Sequence, residues 1–487
     1  MRLTSLAAFL LAGHCVSPAA AAFTLDTTFN GSGQAQDYLD LGSSKADLFA
    51  DVAIAPATGS LYSVGRVEHV AAGGATFGVL FKRLGNGIKD NAFTNGSSGA
   101  SRITFGAERS GGSSGLSAVS FDASNTGAVL VAGFNDLNSG KRCGVVYKVL
   151  DNAVMKGALD GGFGASGRFT YCASNASTIE FSDIKVLADG RALVTGNGAL
   201  ASGEKYGFAL RLTTTGQLDT TFNAGGISGG PGTHIFDIRP GKDDYALRIA
   251  VGSQGYYIGG NTVFTRNLAP MFDDDIDFWV ARITPAGVLD SSFNGNGKRI
   301  EAIDLSGSDK TDLLADLALD ANGRVLLLGN INPAHVIYNS SGYPDPNRYN
   351  RSEGVIIRLT TGGSRDSSFG FGGLKTLSTS MGGCGSSDYC NYDEPATLIT
   401  TPTHEILVAG RYVPAGYIGT APLSKLSLVW ISSDGLTVVG EQFNQWTRSE
   451  GVSMLRQADG KLVIGGLVRS VSTISDVDFA VTRFQAP

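Results

Sequence analysis

Residues 218–226 read LDTTFNAGG, in which an Asp is followed three residues later by a Phe. This Asp…Phe loop occurs six times, at LDTTFNGSG (25–33), KDNAFTNGSSG (89–99), LDGGFGASG (159–167), LDTTFNAGG (218–226), LDSSFNGNG (289–297) and RDSSFGFGG (365–373). Its two defining residues are Asp26 and Phe29, Asp90 and Phe93, Asp160 and Phe163, Asp219 and Phe222, Asp290 and Phe293, and Asp366 and Phe369. The long distance between successive copies of the loop indicates that one supersecondary unit is repeated along the chain.

The segments between these loops contain the same strands each time. Seven hairpins are predicted where Asp-Gly, Asn-Gly or a related turn separates two apolar runs, as in IKVLADGRALVTG and LALDANGRVLLLG. Each hairpin is followed by a further strand with a cation at one aligned position, except for Trp430. The six cations are Lys82, Lys148, Arg211, Arg282, Arg358 and Arg483. A short strand follows each Asp…Phe loop, so each unit has four strands.

Four-stranded antiparallel units repeated around an axis are the blades of a β-propeller. The sequence therefore predicts an all-β protein, a seven-bladed β-propeller of four-stranded antiparallel blades over residues 23–487. The approximate units are 33–84, 98–150, 167–213, 226–284, 297–360, 373–433 and 439–485. One Asp…Phe loop precedes the first unit and the chain ends just after the seventh cation-bearing strand. We expect the two ends to meet in a ring, whereas an open solenoid would need atypical capping repeats.

The bulk composition limits the partners. The net charge is −6, with no basic stripe, which argues against nucleic acid or an anionic membrane as the main partner. Residues 1–22 resemble a signal peptide, with Arg2, an apolar run and small residues up to Ala22. No later window has the length of apolar sequence that a membrane-spanning helix needs. We expect an exported, soluble monomer that is extracellular, periplasmic or on the cell surface.

Four Cys remain after residue 22, and an even number in an exported chain favours disulfides. Cys384 and Cys390 lie six residues apart in GGCGSSDYC and are predicted to bridge locally. The sequence leaves open whether Cys143 and Cys172 pair. A zinc site would need all four thiolates brought together, which the spacing does not favour.

The combined pattern resembles the delta-60 repeat family. The resemblance rests on the LDxxF loops, on Asp-Gly turns followed by VxG, and on the FxVxR-type strand before the next loop. It covers nearly all of residues 25–485 and is most specific in the third, fourth and fifth units. It implies a propeller and an exported location, mostly in bacterial secreted and surface proteins. It implies no catalytic residues.

The repeated polar residues are interpreted as structural. A short carboxylate at a turn accepts hydrogen bonds from nearby backbone N–H groups, and the Phe is expected to plug the space between neighbouring blades. Calcium binding would need several converging oxygen ligands, but each loop offers one acid. The aligned cations are predicted to lie on edge strands at the rim, where charge opposes aggregation, or to pair with the motif Asp. A ring of cations that binds an anion is the alternative.

Two insertions interrupt the repeat, both between the third and fourth strands of a unit as counted from its short strand. Residues 330–353 carry Tyr338, Tyr343 and Tyr349 among Asn and Ser residues. This composition is typical of recognition loops and suits protein or carbohydrate. Both insertions and the Cys384–Cys390 loop are expected on one face, which we predict to be a recognition surface. An ordinary solvated loop is the alternative.

The other insertion, residues 261–279, carries Asp273, Asp274, Asp275 and Asp277. Carboxylate oxygens are the ligands that Ca²⁺ prefers, so this cluster is a candidate calcium site, with a solvated acidic loop as the alternative. No other cofactor is expected.

Enzymatic signatures are sparse. The chain has no HExxH motif and no GxSxG elbow in a strand–turn–helix context. Catalysis at a central channel could still combine residues that are distant in sequence, and His234 and His335 are the first candidates. We therefore predict a binding or scaffold protein of unknown ligand, with a hydrolase or lyase acting at the channel mouth as the alternative.

Overall fold

The structure is a computed structural model of the whole chain. It describes residues 23–37, 39, 47–69, 74–94, 101–124, 127–265, 275–303, 311–331, 336–338, 344–349, 353–377, 392–413, 425–443, 453–469 and 477–485. All regular elements within these ranges are β-strands. The described residues contain no helix long and apolar enough to cross a membrane.

The strands follow one another along the chain without a helix between them. In chain order they are β1 (Gln34–Asp37), β2 (Asp47–Ile54), β3 (Leu61–His69), β4 (Ala75–Arg83), β5 (Arg102–Phe105), β6 (Ser114–Phe121), β7 (Ala128–Asp136), β8 (Arg142–Asp151), β9 (Lys156–Leu159), β10 (Arg168–Tyr171), β11 (Ala176–Val186), β12 (Ala192–Leu200), β13 (Lys205–Leu212), β14 (Gly229–Gly230), β15 (Thr233–Phe236), β16 (Asp244–Gly252), β17 (Gly255–Thr265), β18 (Asp275–Ile283), β19 (Lys298–Glu301), β20 (Asp312–Leu319), β21 (Val325–Ile331), β22 (Val336–Tyr338), β23 (Pro344–Tyr349), β24 (Glu353–Leu359), β25 (Leu374–Thr376), β26 (Tyr392–Thr400), β27 (Ile406–Val413), β28 (Lys425–Ile431), β29 (Val438–Phe443), β30 (Ser453–Arg456), β31 (Leu462–Arg469) and β32 (Val477–Phe484).

The strands form groups of four that pair antiparallel. The groups are β2-β3-β4-β5, β6-β7-β8-β10, β11-β12-β13-β15, β16-β17-β18-β19, β20-β21-β24-β25, β26-β27-β28-β29 and β30-β31-β32-β1. We call these the first to seventh sheets, and we number the strands within each sheet in the order given. The second and third sheets are connected by one parallel pair, Thr178 with Arg142. Side strands β9 and β14 add to β8 and β15. Among the described strands, β22 pairs only with β23.

The short strand after each Asp…Phe loop pairs back onto the strand before that loop. It is the fourth strand of that sheet rather than the first strand of the next, as with β5 on β4 and β19 on β18. The cation-bearing strand is therefore third in its sheet, with a partner on both sides. The prediction that it lies at the edge was wrong, because the sequence pattern identified the strands but not their partners.

The same rule joins the two ends of the described chain. Strand β1 pairs with β32 from Gln34 opposite Thr482 to Asp37 opposite Phe479. The N-terminal strand thus completes the sheet formed by the last three strands, and a further bridge pairs Leu25 with Phe484.

The hydrophobic core lies between neighbouring sheets. One buried cluster packs Val64 and Leu80 of the first sheet against Leu116, Val131 and Val145 of the second. Strands that are covered on both faces have continuous apolar sequences, because none of their side chains faces water. The fold is therefore all-β and propeller-like, with its core divided into layers.

A Gly ends the apolar run of the second strand because a first-strand carbonyl approaches it. A Cβ on Gly260 would lie 1.7 Å from the carbonyl oxygen of Tyr245, and a Cβ on Gly65 would lie 2.0 Å from that of Leu48. Both contacts flank a β-bulge in the first strand. Bulges bend a strand and re-aim its side chains, so these glycines permit the bulged conformation of the first strand.

Candidate functional site

The Asp…Phe loops lie between neighbouring sheets. The six Phe rings are all at most 1% exposed. Each Asp accepts a hydrogen bond from the backbone N–H two positions later, as Asp219 does from Thr221 at 3.1 Å. Burial raises the pKa of Asp219, but hydrogen bonds from Thr221 and Arg211 outweigh this and hold it at about 2. The motif carboxylates are therefore already engaged by the protein.

Each aligned cation forms an ion pair with the motif Asp of its own sheet. The pairs are Lys82–Asp90 (2.6 Å), Lys148–Asp160 (3.7 Å), Arg211–Asp219 (2.7 Å), Arg282–Asp290 (2.8 Å), Arg358–Asp366 (2.8 Å) and Arg483–Asp26 (2.8 Å). The Arg211 guanidinium also reaches the next sheet, because it donates to the Pro285 carbonyl oxygen. These groups therefore join sheets, and their donors face protein acceptors.

The same joint connects the ends of the chain. Arg483 of β32 pairs with Asp26, which is fully buried. Its Nη1 donates to the carbonyl oxygen of Gly85, which follows the third strand of the first sheet. Lys461 adds a second cation, 3.3 Å from Asp26.

The predicted recognition residues lie only partly within the described chain. Tyr338 ends β22 and Tyr349 ends β23, and these strands form a hairpin between the second and third strands of the fifth sheet. Tyr343 and His335 lie outside the described residues. Because the strands are antiparallel, this hairpin and the links between sheets leave on the same side. We call that side the loop face, and we call the side with the Asp…Phe loops the turn face.

The predicted calcium ligands are divided in a similar way. Asp273 and Asp274 lie outside the described residues. Asp275 begins β18, and Asp277 is 2% exposed with its carboxylate 2.5 Å from Arg239. Within the described ranges, no group of three or more His, Cys, Asp or Glu residues is arranged to hold a metal ion. The calcium site stays a prediction.

The described cysteines form one disulfide, between Cys143 and Cys172. Cys143 is fully buried in β8, and Cys172 follows β10, which pairs with β8. This resolves a pairing that the sequence left open. Cys384 and Cys390 lie outside the described residues, so their bridge stays a prediction.

The best-defined candidate site is a cavity of about 290 Å³ lined by all seven first strands. Each strand contributes one residue at the equivalent position, and six of these follow directly on the β-bulge. The seven residues are Asp51, Ala118, Asp183, Arg248, Asp316, Thr397 and Ser453. Lys185 also lines the cavity. We call this the central cavity; it combines three acids with two cations.

The three acids of the central cavity bind backbone N–H groups of the adjacent sheet. Asp51 accepts from Val119 at 3.1 Å, and Asp183 accepts from Ile249 at 2.8 Å. Asp316 accepts from Leu398 at 2.9 Å. Each also accepts from the residue that follows it in its own strand. These carboxylates therefore connect first strands in pairs.

The cavity shifts the pKa values of three of its charged groups. Burial raises the pKa of Asp51 and Asp316. Burial alone would lower the pKa of Lys185, but the carboxylates of Asp183 and Asp51 hold it above its usual value. Perturbed pKa values in a cavity are typical of functional sites, although structural ion pairs produce them as well.

Sequence reasoning missed the central cavity. The available signal was an Asp directly before an apolar residue in aligned first strands, as in DVAI from Asp51, DIKV from Asp183 and DLAL from Asp316. Each of these acids looks like an ordinary polar residue in its own segment. Only the alignment of the seven first strands brings them together.

His234 lies in a different place, on strand β15 at the turn face. It is 3% exposed and lines a groove with Ile227, Phe236 and Lys298. Burial, the largest effect, lowers its pKa to about 4, although a hydrogen bond with the Gly287 backbone opposes this. His234 is therefore neutral at pH 7 and does not belong to the central cavity.

Comparisons with known proteins do not assign an activity. No family model and no curated protein matches the chain. Among solved structures, a PL25 ulvan lyase is 10% identical with a TM-score of 0.43, covering 90% of this chain and 94% of its own. The β-propeller domain of the Trilobed protease from Pyrococcus furiosus is 8% identical with a TM-score of 0.40, at 90% and 94% coverage. An endo-arabinase from Bacteroides thetaiotaomicron is 12% identical with a TM-score of 0.30, at 62% and 93% coverage.

Proposed function

We propose that this chain is a closed seven-bladed β-propeller of the delta-60 repeat type. The pairing of β1 with β32 supports closure, because the seventh sheet then takes its fourth strand from beyond an Asp…Phe loop, as the first five sheets do. The contacts of Arg483 with Asp26 and with Gly85 support it further, since they connect the last sheet to the first. The lining of one cavity by seven first strands fits the axis of such a ring.

The function that we propose is ligand binding by an exported scaffold, with the recognition surface on the loop face. The observation that carries this proposal is that all three acids of the central cavity are occupied by backbone donors. A general acid or base must be able to exchange its proton with substrate, whereas these carboxylates fix the scaffold. The β22–β23 hairpin forms its own two-stranded sheet between two strands of the fifth sheet, on the loop face, and this arrangement suits presentation of a recognition loop. The Cys143–Cys172 disulfide fits an oxidising compartment.

The partner is proposed to be an extracellular protein or carbohydrate. Tyr338, Tyr343 and Tyr349 provide aromatic faces that stack on sugar rings or on peptide side chains. Rigid blades hold the ends of such loops in place, which lowers the entropy lost on binding.

We predict that the mature protein binds members of a glycan and peptide array, and that changing all three Tyr residues to Ala abolishes this binding. Phe371→Ala is the matched control, because Phe371 is 93% exposed on the turn face. Binding that survives in the triple variant, or that is lost equally in the control, would exclude the hairpin as the binding surface. Thermal melting of each variant separates loss of binding from loss of fold.

A hydrolase or lyase is the second candidate function. It is favoured by two carboxyl groups with raised pKa values, Asp51 and Asp316, in one cavity, because glycosidases use a raised pKa to keep a carboxylic acid protonated. Product release from a polysaccharide panel tests it. Turnover that disappears in both Asp51→Asn and Asp316→Asn would establish the enzyme, and no turnover in the unaltered protein would remove it.

A further inference from the structure

The hydrogen-bonding groups of the central cavity are unequally used. Each of the six carboxylate oxygens of its three acids accepts at least one hydrogen bond from a backbone N–H group. Further donors reach the same oxygens, with Ser453 at 2.7 Å from Asp51 and Thr397 at 2.9 Å from Asp316. The acceptors of the cavity are thus largely consumed, and the groups with remaining capacity are donors.

Lys185 has donor capacity to spare. Its Nζ lies 3.0 Å from Asp183 Oδ1, and an ammonium group can donate three hydrogen bonds. Although protein surrounds the cavity, 40% of the Lys185 side chain remains accessible to solvent. A ligand oxygen can therefore reach this ammonium group without breaking its contact with Asp183.

Arg248 is the second such group, in the neighbouring fourth sheet. Its Nη1 donates to the Leu247 carbonyl oxygen at 3.2 Å. Its Nε lies 3.7 Å from Asp316, longer than a good hydrogen bond. The side chain is 41% accessible, and the planar guanidinium suits two-point binding of a carboxylate.

We propose that the central cavity binds the carboxylate of a small sugar acid through Arg248 and Lys185. Ser117 and Ser182 also line the cavity, and their hydroxyl groups suit the hydroxyls of such a ligand. The volume of about 290 Å³ lies at the lower end of typical ligand sites, which limits the occupant to a small molecule. The proposal rests on the closed ring that is part of the proposed function. It does not depend on which glycan or peptide the loop face binds.

Calorimetry on the mature protein tests this assignment, with D-glucuronate as the probe and D-glucose as its uncharged match. We expect binding heat with glucuronate and none with glucose. Arg248→Gln and Lys185→Gln should each weaken glucuronate binding by about tenfold or more, since each removes a charge-assisted hydrogen bond. Lys242→Gln, which changes an exposed cation outside the cavity, should leave binding unchanged.

Absence of heat with glucuronate, or equal affinity in the two Gln variants and the unaltered protein, would overturn the proposal. If either Gln variant melts early, Arg248→Lys provides the second test, because it keeps the charge but loses the planar fork and should bind glucuronate with intermediate affinity. Array binding measured in the same variants distinguishes the sugar-acid site in the central cavity from the recognition surface on the loop face. Array binding without glucuronate heat would reject the cavity site alone, whereas loss of β1–β32 pairing would reject the ring on which both rest.

Discussion

Arg358→Met is expected to lower the free energy of unfolding by about 3 kcal/mol, the lower end of the range for breaking a buried ion pair, because it removes the nearer of the two cations that face Asp366 and leaves only Arg324, at 3.4 Å. Arg358 is 2% exposed and its Nε lies 2.8 Å from Asp366. It also donates to Ser368 and to the carbonyl oxygen of Ser433, and its guanidinium lies 4.6 Å from the centre of the Phe369 ring. Urea unfolding of the single variant measures the loss.

The sixth sheet provides the rationale for a double-mutant cycle. There Trp430 stands at the aligned cation position, and the following loop also lacks the Asp…Phe motif. Cation and carboxylate are absent together, as expected if either one alone would be left buried and unpaired. Arg358→Met combined with Asp366→Asn should therefore cost less than the sum of the two single changes. Strictly additive losses would show that the pair does not act as a unit.

Asp26→Ala is expected to destabilise the protein by a similar amount, about 3 to 5 kcal/mol, and also to release the N-terminal strand. Asp26 is fully buried between Arg483 and Lys461. It is the motif Asp next to β1, so its loss weakens the connection between the two ends of the chain. Hydrogen exchange should rise in β1 and β32 before it rises in the interior sheets.

Asp219→Ala is the matched control for Asp26→Ala. Asp219 makes the same contacts, with Arg211 at 2.7 Å and with Thr221, but it lies at the joint between the third and fourth sheets. Both variants should be less stable, and only Asp26→Ala should accelerate exchange in Gln34–Asp37. Equal exchange of this segment in the two variants would mean that Asp26 has no special part in closure.

The strands themselves were predictable from the sequence because their signals are local. Asp-Gly and related turns between apolar runs identify hairpins without knowledge of the rest of the chain. The sheet to which a short strand belongs is a non-local property. The segment at Arg102 reads as a strand in isolation, but only its hydrogen bonds assign it to β4, which is why the cation-bearing strands were misplaced at the edge.

The candidate site was less predictable than the fold for the same reason. Asp51, Asp183 and Asp316 belong to three sheets that are far apart in the chain, and each is followed by one apolar residue in an otherwise ordinary strand sequence. Their position beside a bulge in the first strand brings them to one cavity. The Tyr-rich insertion, in contrast, was visible because it breaks the repeat, and its role remains a proposal.

Disulfide trapping across β1 and β32 tests closure of the ring most directly. Gln36 lies opposite Ala480 in this pair, whereas Val481, the next residue, projects to the other face of the strand. With Cys at positions 36 and 480, oxidation should give a cross-link, detected by mass spectrometry of the linked peptides. With Cys at positions 36 and 481, little should form. Absence of the 36–480 cross-link in the folded protein, or equal yields from both pairs, would contradict a ring closed by its N-terminal strand.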